Sequence, residues 1–389
     1  MNVFQKTLLT ISIAFLCQTA NAQMTQELNA KNFETVIDGK PVHLYTLKNK
    51  NGMVVKITNY GARIEQILAP NKKNQLGDVV QGYDSIDAVL KGQASMGAFI
   101  GRYANRITDG KFSLDGQSYQ LAINDISTNP ATPRNNTLHG GKKGSRFKVF
   151  DAVQLSPSTV AMSIVFADGE EGFPGTLPVR VIYQLNDKNE LSIKYSATAL
   201  DKDTVGNFTG HAFFNLSGDL GSSIENHLLK INSDKTLEVS PALAPNGKIR
   251  SITNTPLDFS QFKSIGKDIH QDYDLLKAGN GYDNHFIVKN YQNGQLQLDS
   301  KIIEPKSGRT LEIWSTEPGI QLYSGNFLEG KIPRDQGKNG VIYKFRSAFA
   351  LEPSHYPDSV NHSNFPSTEI KKGQTYTGEI VYKFGITTM

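Results

Sequence analysis

Hydrophobic and polar residues alternate with period two along most of this chain. In "LPVRVIYQLNDKNELSIKYSATAL" two alternating runs flank the polar stretch Asn186 to Asn189, the pattern of two strands joined by a turn. "LQLDSKIIEPKSGRTLEIWSTEPG" repeats it around Lys306 to Gly308, and "FSLDGQSYQL" reads as a hairpin about Asp115-Gly116. "VVKITNYG", "IEQILAP" and the late "TGEIVYKFGIT" add further strands. Helical periodicity is scarce: "DSIDAVLKG" from Asp84, with a capping residue ahead of it and a glycine at its end, predicts one short helix. No linker, charge block, repeat or low-complexity tract interrupts the run of strands. The pattern therefore predicts an all-β chain, one large antiparallel β-sandwich with few short helices, whose long loops carry the chemistry.

The first residues, "MNVFQKTLLTISIAFLCQTANAQ", depart from that pattern. Lys6 is followed by an apolar run, Leu8 to Cys17, and then by Ala20-Asn21-Ala22, the small-x-small form that signal peptidase reads. The run is too short for a bilayer, which takes about 20 residues. Residues 1–22 are expected to be a cleaved signal peptide, leaving 23–389 as a single exported domain, periplasmic or secreted. Cys17 is the chain's one cysteine, so the mature protein would have neither disulfides nor thiolate chemistry. Lys and Arg number 41 against 37 Asp and Glu, a net charge of +4, one less once Lys6 leaves. These charges are scattered and not interleaved with aromatics, which argues against a nucleic-acid partner. No further segment has membrane-spanning length; a monomer or weak dimer is expected, with no heptad or exposed apolar stripe to set the oligomeric state.

Candidate chemistry is spread over distant segments. "FIGRYANRI" holds Asn105 and Arg106, "NNTLHGG" holds His139 before two glycines, and "TGHAFFNLSG" holds His211 among aromatics. "GYDNHF" holds Asp283, and Glu352 follows the apolar run "SAFA". Each has an ordinary reading: an ion pair for Arg106, a turn cap for His139, a packed core imidazole for His211, a turn residue for Asp283 and a solvated strand end for Glu352. Spacing alone cannot bring them together.

Taken in order, "NYGARI", "GDVVQGYD", "GRYANRI", "NTLHGG", "GEEGFPG", "HAFFNLSG", "TPLDF", "GYDNHF", "GIQLYSGN" and "LEPSHYPDSVN" resemble the successive blocks of the aldose 1-epimerase (galactose mutarotase) family, from about Lys31 to the C-terminus. The resemblance implies a galactose mutarotase-like β-supersandwich whose open cleft binds a free monosaccharide. It also implies roles: Glu352 as general base, His211 as general acid, His139 as a second histidine near the ring oxygen, and Asn105, Arg106, Asp283 and Gln321 as groups that hold sugar hydroxyls. Phe213 and Phe214 would then divide between core and ligand wall.

The chemistry agrees with that assignment. Exchanging anomers requires one proton to leave the C1 hydroxyl and another to reach the ring oxygen, which a carboxylate and a protonated imidazole can supply. Nothing else is transferred, so neither a cofactor nor a metal is called for. Three other readings keep some of the same residues: a non-catalytic carbohydrate-binding sandwich, a glycoside hydrolase using Asp283 and Glu352, and a metal site built from His139, His211 and a carboxylate. "HYPDSVNH", with His355, Asp358 and His362, reads as a loop. Gly210 before His211, Pro353-Ser354 after Glu352, and the long "NDISTNPATPRNNT" before His139 depart from the common family pattern and bear on substrate preference.

Overall fold

The computed structural model describes residues 26–128 and 133–387 of the 389. The expected signal peptide with Cys17 lies outside the described residues, as do residues 129–132 of the segment before His139.

The two alternating runs fold as predicted. Strands Leu177–Leu185 and Glu190–Thr198 bury every second side chain, and the turn between them closes with the Asn186 side chain accepting from the amides of Lys188 and Glu190 at 2.9 and 3.1 Å. Among the described residues they are the third and fourth of nine strands in one antiparallel sheet. Its spatial order is Asp151–Ser156, Thr159–Phe166, Leu177–Leu185, Glu190–Thr198, Thr375–Ile386, Arg309–Ser315, Gln297–Ile303, Leu228–Ile231 and Lys263–Ser264. A second sheet has seven strands in the order Pro245–Ser251, Lys235–Val239, Asp283–Ile287, Gly319–Tyr323, Phe349–Ser354, Phe213–Phe214 and Val80–Gln81. A four-stranded sheet, from Leu44–Lys48 to Leu76–Asp78, adds a third surface. One continuous apolar cluster joins all three: Val181 and Ile313 from the first, Ile320, Leu351 and Phe214 from the second, Ile57 and Ile67 from the third.

The seven-stranded sheet positions the site. Phe349–Ser354 is buried along its whole length, whereas a sheet with one wet face would alternate. Phe349 and Leu351 enter the main core, so Ala350 and Glu352 must face the other way. The register sets Glu352 opposite Gln321, and Gln321 opposite His285. A row of polar side chains thus lies on the sheet face that looks away from the main core.

The predicted helix is Ile86–Gly92, capped by the Ser85 hydroxyl, which accepts from the Ala88 amide. Its glycine does not end it by turning left-handed; Gln93 does, at φ 55°. Gly92 is instead a contact residue, since a Cβ there would meet the Tyr83 hydroxyl at 2.2 Å. A second short helix, Asp274–Gly279, has no counterpart in the sequence-based expectation.

Candidate active site

The seven residues singled out from the sequence line one cleft. Asn105, Arg106, His139, His211, Asp283, Gln321 and Glu352 all border a cavity of about 310 Å³, near the small end of ligand pockets, which run from about 300 Å³ upward. Five short strands deliver six of them. Arg106–Ile107 pairs with Arg134–Leu138 so that Leu138 faces Arg106, which brings His139 beside the arginine's strand. Asp283 opens strand Asp283–Ile287, Gln321 lies inside Gly319–Tyr323, and Glu352 lies inside Phe349–Ser354. The turn reading of Asp283 and the solvated reading of Glu352 therefore both fail: each side chain is on a strand and buried to nine-tenths or more. His211 sits between Thr209–Gly210 and Phe213–Phe214, not within a strand. Its backbone is held on both sides, its amide donating to Ala98 and its carbonyl accepting from Gly97.

Asn105 and His139 interlock. The His139 amide donates to the Asn105 carbonyl at 3.0 Å, and the Asn105 amide donates to His139 Nδ1 at 3.2 Å. Both residues are left-handed, at φ 61° and 53°, a conformation that costs a non-glycine residue about 1 kcal/mol or more. The reciprocal bonds hold them there. Gly140 follows at φ 79°, and a Cβ on it would lie 2.4 Å from the Gly101 carbonyl, so this turn admits only glycine.

The interlock also assigns a tautomer. A ring nitrogen that accepts a backbone N–H carries no proton, so neutral His139 is protonated at Nε2 and offers the cleft a donor. Ligand atoms of His139, His211 and Glu352 lie within 4.8 Å of one another, a distance set that fits a divalent ion. A protonated Nε2 has no lone pair to give, so the donor chemistry fits a sugar oxygen and not a metal.

His211 Nε2 stands 3.5 Å from Glu352 Oε1. Burial raises Glu352 well above the ordinary carboxylate value; the neighbouring Asp283 adds to this and Arg106 opposes it. Burial likewise pulls His211 down to about 3, with the charges of Arg146 and Arg63 adding to the effect. His139 is lowered in the same way, first by burial and then by His211 and the nearby arginines. Each member of the Glu352–His211 pair thus prefers its neutral form in the empty cleft.

Across the cleft, Gln321 donates to Asp283 at 2.7 Å, and an Arg106 nitrogen lies 3.9 Å from the other Asp283 oxygen. Arg106 is fixed from behind by Asp125, which accepts its Nε at 2.8 Å. Asp125 also takes Arg134 Nε at 2.9 Å and the Asn136 amide at 3.2 Å. Burial alone would raise Asp125, but Arg106, Asn136 and Arg134 together hold it below its usual value.

An aromatic wall closes the cleft. His211 stacks on Phe213 with ring centres 5.2 Å apart, Phe213 meets Tyr323 edge-on at 5.8 Å, and Tyr323 stacks on Phe327 at 6.0 Å. Phe214 points the other way into the main core, the division expected of these neighbours in a pleated chain. Such a wall suits the C–H face of a pyranose. Tyr323 was within reach of the sequence, being two positions after Gln321 on the same face. Asp125, Arg146 and Arg334 had no such signal. The loop reading of "HYPDSVNH" is kept: His355 pairs with buried Glu317 at 2.7 Å, and Asp358 accepts from the Thr108 amide and from Asn361.

Residues 43–383 match the family model described as Aldose 1-epimerase. The galactose mutarotase of Bos taurus is 37% identical over 336 residues, spanning 85% of this chain and 91% of that protein. The aldose 1-epimerase of Escherichia coli (strain K12) is 32% identical over 349 residues, 89% and 96% of the two chains. Among solved structures, an aldose epimerase homologue from C. elegans superposes with a TM-score of 0.78 at 30% identity, covering 89% of this chain and 100% of its own.

Proposed function

We propose, from the premise that this chain belongs to the aldose 1-epimerase family, that its cleft interconverts the α and β anomers of free aldoses such as galactose and glucose through the Glu352–His211 pair. The chain is an isomerase, and the 3.5 Å approach of that carboxylate to that imidazole is the observation that carries the assignment of roles.

Glu352 takes the proton from O1 while His211 gives one to O5, and the C1–O5 bond opens. Glu352 is then a carboxylic acid and His211 a neutral imidazole. Rotation about C1–C2 presents the other face of the aldehyde, O5 attacks, and the protons return by the same two groups. Atoms and charge balance over the cycle. The neutral pair that accompanies the open-chain aldehyde is also the form that burial favours at both residues. The cleft therefore supports the ring-opened species more than either closed ring, which lowers the barrier between them. The charged pair that starts the cycle has the same proton count, and the hydroxyls of a bound sugar stabilise it by hydrogen bonding. His139 Nε2–H is a second donor for O5. Asn105, Arg106, Asp283 and Gln321 hold the remaining hydroxyls while C1 turns.

Polarimetry on α-galactose tests this reading. Glu352→Gln and His211→Asn, each purified as a folded protein, are expected to lose about 100-fold or more in kcat/KM. A near-normal rate in either variant removes the role given to that residue. Export rests on the N-terminal pattern alone, and cell fractionation that left full-length protein in the cytosol would overturn it.

A further inference from the structure

We infer that the cleft is adapted to aldoses carrying a carboxylate at C6, the hexuronates, and that Arg146 is the residue that selects them. The inference rests on the anomer-exchange reading of the same cleft. Three arginines border the cavity: Arg106, Arg146 and Arg334. Two are matched by carboxylates, Arg106 by Asp125 at 2.8 Å and Arg334 by Asp335 at 2.8 Å. Arg146 is not. Among the described residues its guanidinium donates only to the Ser95 hydroxyl, at 2.8 Å, and lies over the Phe147 ring at 4.6 Å. Its Nε is buried with no partner. Burial, followed by repulsion from Arg63, pulls the guanidinium down to about 10, with no acidic neighbour to offset them.

An unmatched, partly desolvated cation is costly to keep in a cleft wall unless something anionic joins it. Arg146 is also held in place: its carbonyl accepts from Arg63, whose other nitrogen holds the carbonyls of Ala94 and Met96. The position of the charge points to C6. Arg146 acts on both His211 and His139, the groups assigned to the ring oxygen. O5 is bonded to C5, and C5 bears C6, so the exocyclic group of a bound hexose lies on the histidine side. A hydroxyl there would leave the guanidinium unneutralised, whereas a carboxylate would neutralise it and could take two hydrogen bonds.

The test is anomer exchange followed by polarimetry on α-galacturonate and α-galactose, with the spontaneous rate subtracted, in the full-length enzyme and in Arg146→Gln. The wild type is expected to show a kcat/KM on galacturonate at least equal to that on galactose, with a KM for galacturonate that rises with salt. Arg146→Gln is expected to lower the galacturonate-to-galactose ratio of kcat/KM by about 10- to 100-fold, the scale of one charge-assisted hydrogen bond, and Arg146→Lys by less. Galactose turnover without galacturonate turnover overturns the inference and leaves the anomer-exchange reading intact. Failure on both sugars overturns both. A ratio unmoved in Arg146→Gln, or a preference for galactose 6-phosphate over both sugars, shows that Arg146 does not read a C6 carboxylate.

Discussion

Replacing Asp125 by Asn isolates the contribution of a residue that never touches the sugar. Its two carboxylate oxygens accept three donors: Arg106 Nε and the Asn136 amide on one, Arg134 Nε on the other. An amide of the same shape has one acceptor and one donor end. In either orientation its NH₂ must face a guanidinium N–H, so one charge-assisted contact is replaced by two opposed donors. Such a contact contributes about 1.5–3 kcal/mol, or roughly 10- to 100-fold in an equilibrium constant. Arg106 has a second carboxylate within reach, Asp283 at 3.9 Å. Whichever end the amide turns toward it, Arg106 loses its charged partner here and is drawn toward Asp283, so that the two groups that should hold sugar hydroxyls occupy each other. Positioning is lost before chemistry, because Glu352 and His211 sit on separate elements and keep their approach. Polarimetry across a range of galactose concentrations should show KM rising about 10-fold or more, with kcat falling by a smaller factor. Arg134→Gln, at a side chain 22% exposed that makes no hydrogen bond or ion pair with Asp283, should cost less than about 3-fold. The reasoning is refuted if Asp125→Asn keeps KM within about twofold of wild type, or if it lowers kcat alone.

Two further outcomes follow from the buried imidazoles. His211, held near 3, and His139, also lowered, resist protonation at the ordinary histidine value, while Glu352 is raised; the pair therefore keeps its single proton across a wide window. A profile of kcat/KM against pH, which reports the free enzyme, should show no acid limb centred near about 6.5, and a limb found there would show that a solvent-like histidine controls the rate. Away from the cleft, His227 Nε2 accepts the Leu216 amide at 3.0 Å, and burial lowers its pKa to about 4. Below about 6.5 the unfolded chain gains a proton there that the folded chain refuses, so the stability present above that pH drains away down to about 4, at up to about 1.4 kcal/mol per pH unit. His227→Gln, whose carbonyl can accept the same amide, should shrink the difference in urea-unfolding free energy between pH 7 and about 4.5 by roughly 2–3 kcal/mol; an unchanged difference would show that His227 does not carry it.

Much of the frame was legible because period-two alternation needs no knowledge of partners. The hairpins about Asp115-Gly116 and Asn186 to Asn189 are local events, readable from side chains that set their own turns. Where alternation breaks down, in "SAFALE", the ordinary sequence reading of Glu352 was a solvated strand end; only the structure shows a strand buried on both faces, with the main core on one side. What occupies the other side was not readable. Gln321 and Glu352 become neighbours only through a strand register decided by how Phe349 and Leu351 dock, and family resemblance, not spacing, connected them. Gly92 shows a different limit. A glycine at the end of a helical pattern is read as a terminator, yet its role here is to make room for the hydroxyl of Tyr83, a tertiary contact that overrides the local rule.

The location of the proton was further still from the sequence. Motif chemistry alone favours a resident imidazolium, because histidine is the side chain that titrates near neutrality. In the folded chain His211 lies under Phe213 and within reach of two arginines, Arg63 from one sheet and Arg146 from the short 3-10 helix Ser145–Phe147, and neither is its sequence neighbour. In the proposed cycle those surroundings make the His211 imidazolium readier to give its proton to O5 and the Glu352 carboxylate readier to take one from O1. The same arrangement that opposes charge on the empty pair is what makes the neutral pair, and with it the open-chain aldehyde, accessible. A catalyst for a reaction with no net change must not bind either anomer too well. Here that balance comes from the cost of burying two ionisable groups side by side, which rests on the packing of three sheets more than on any short run of residues.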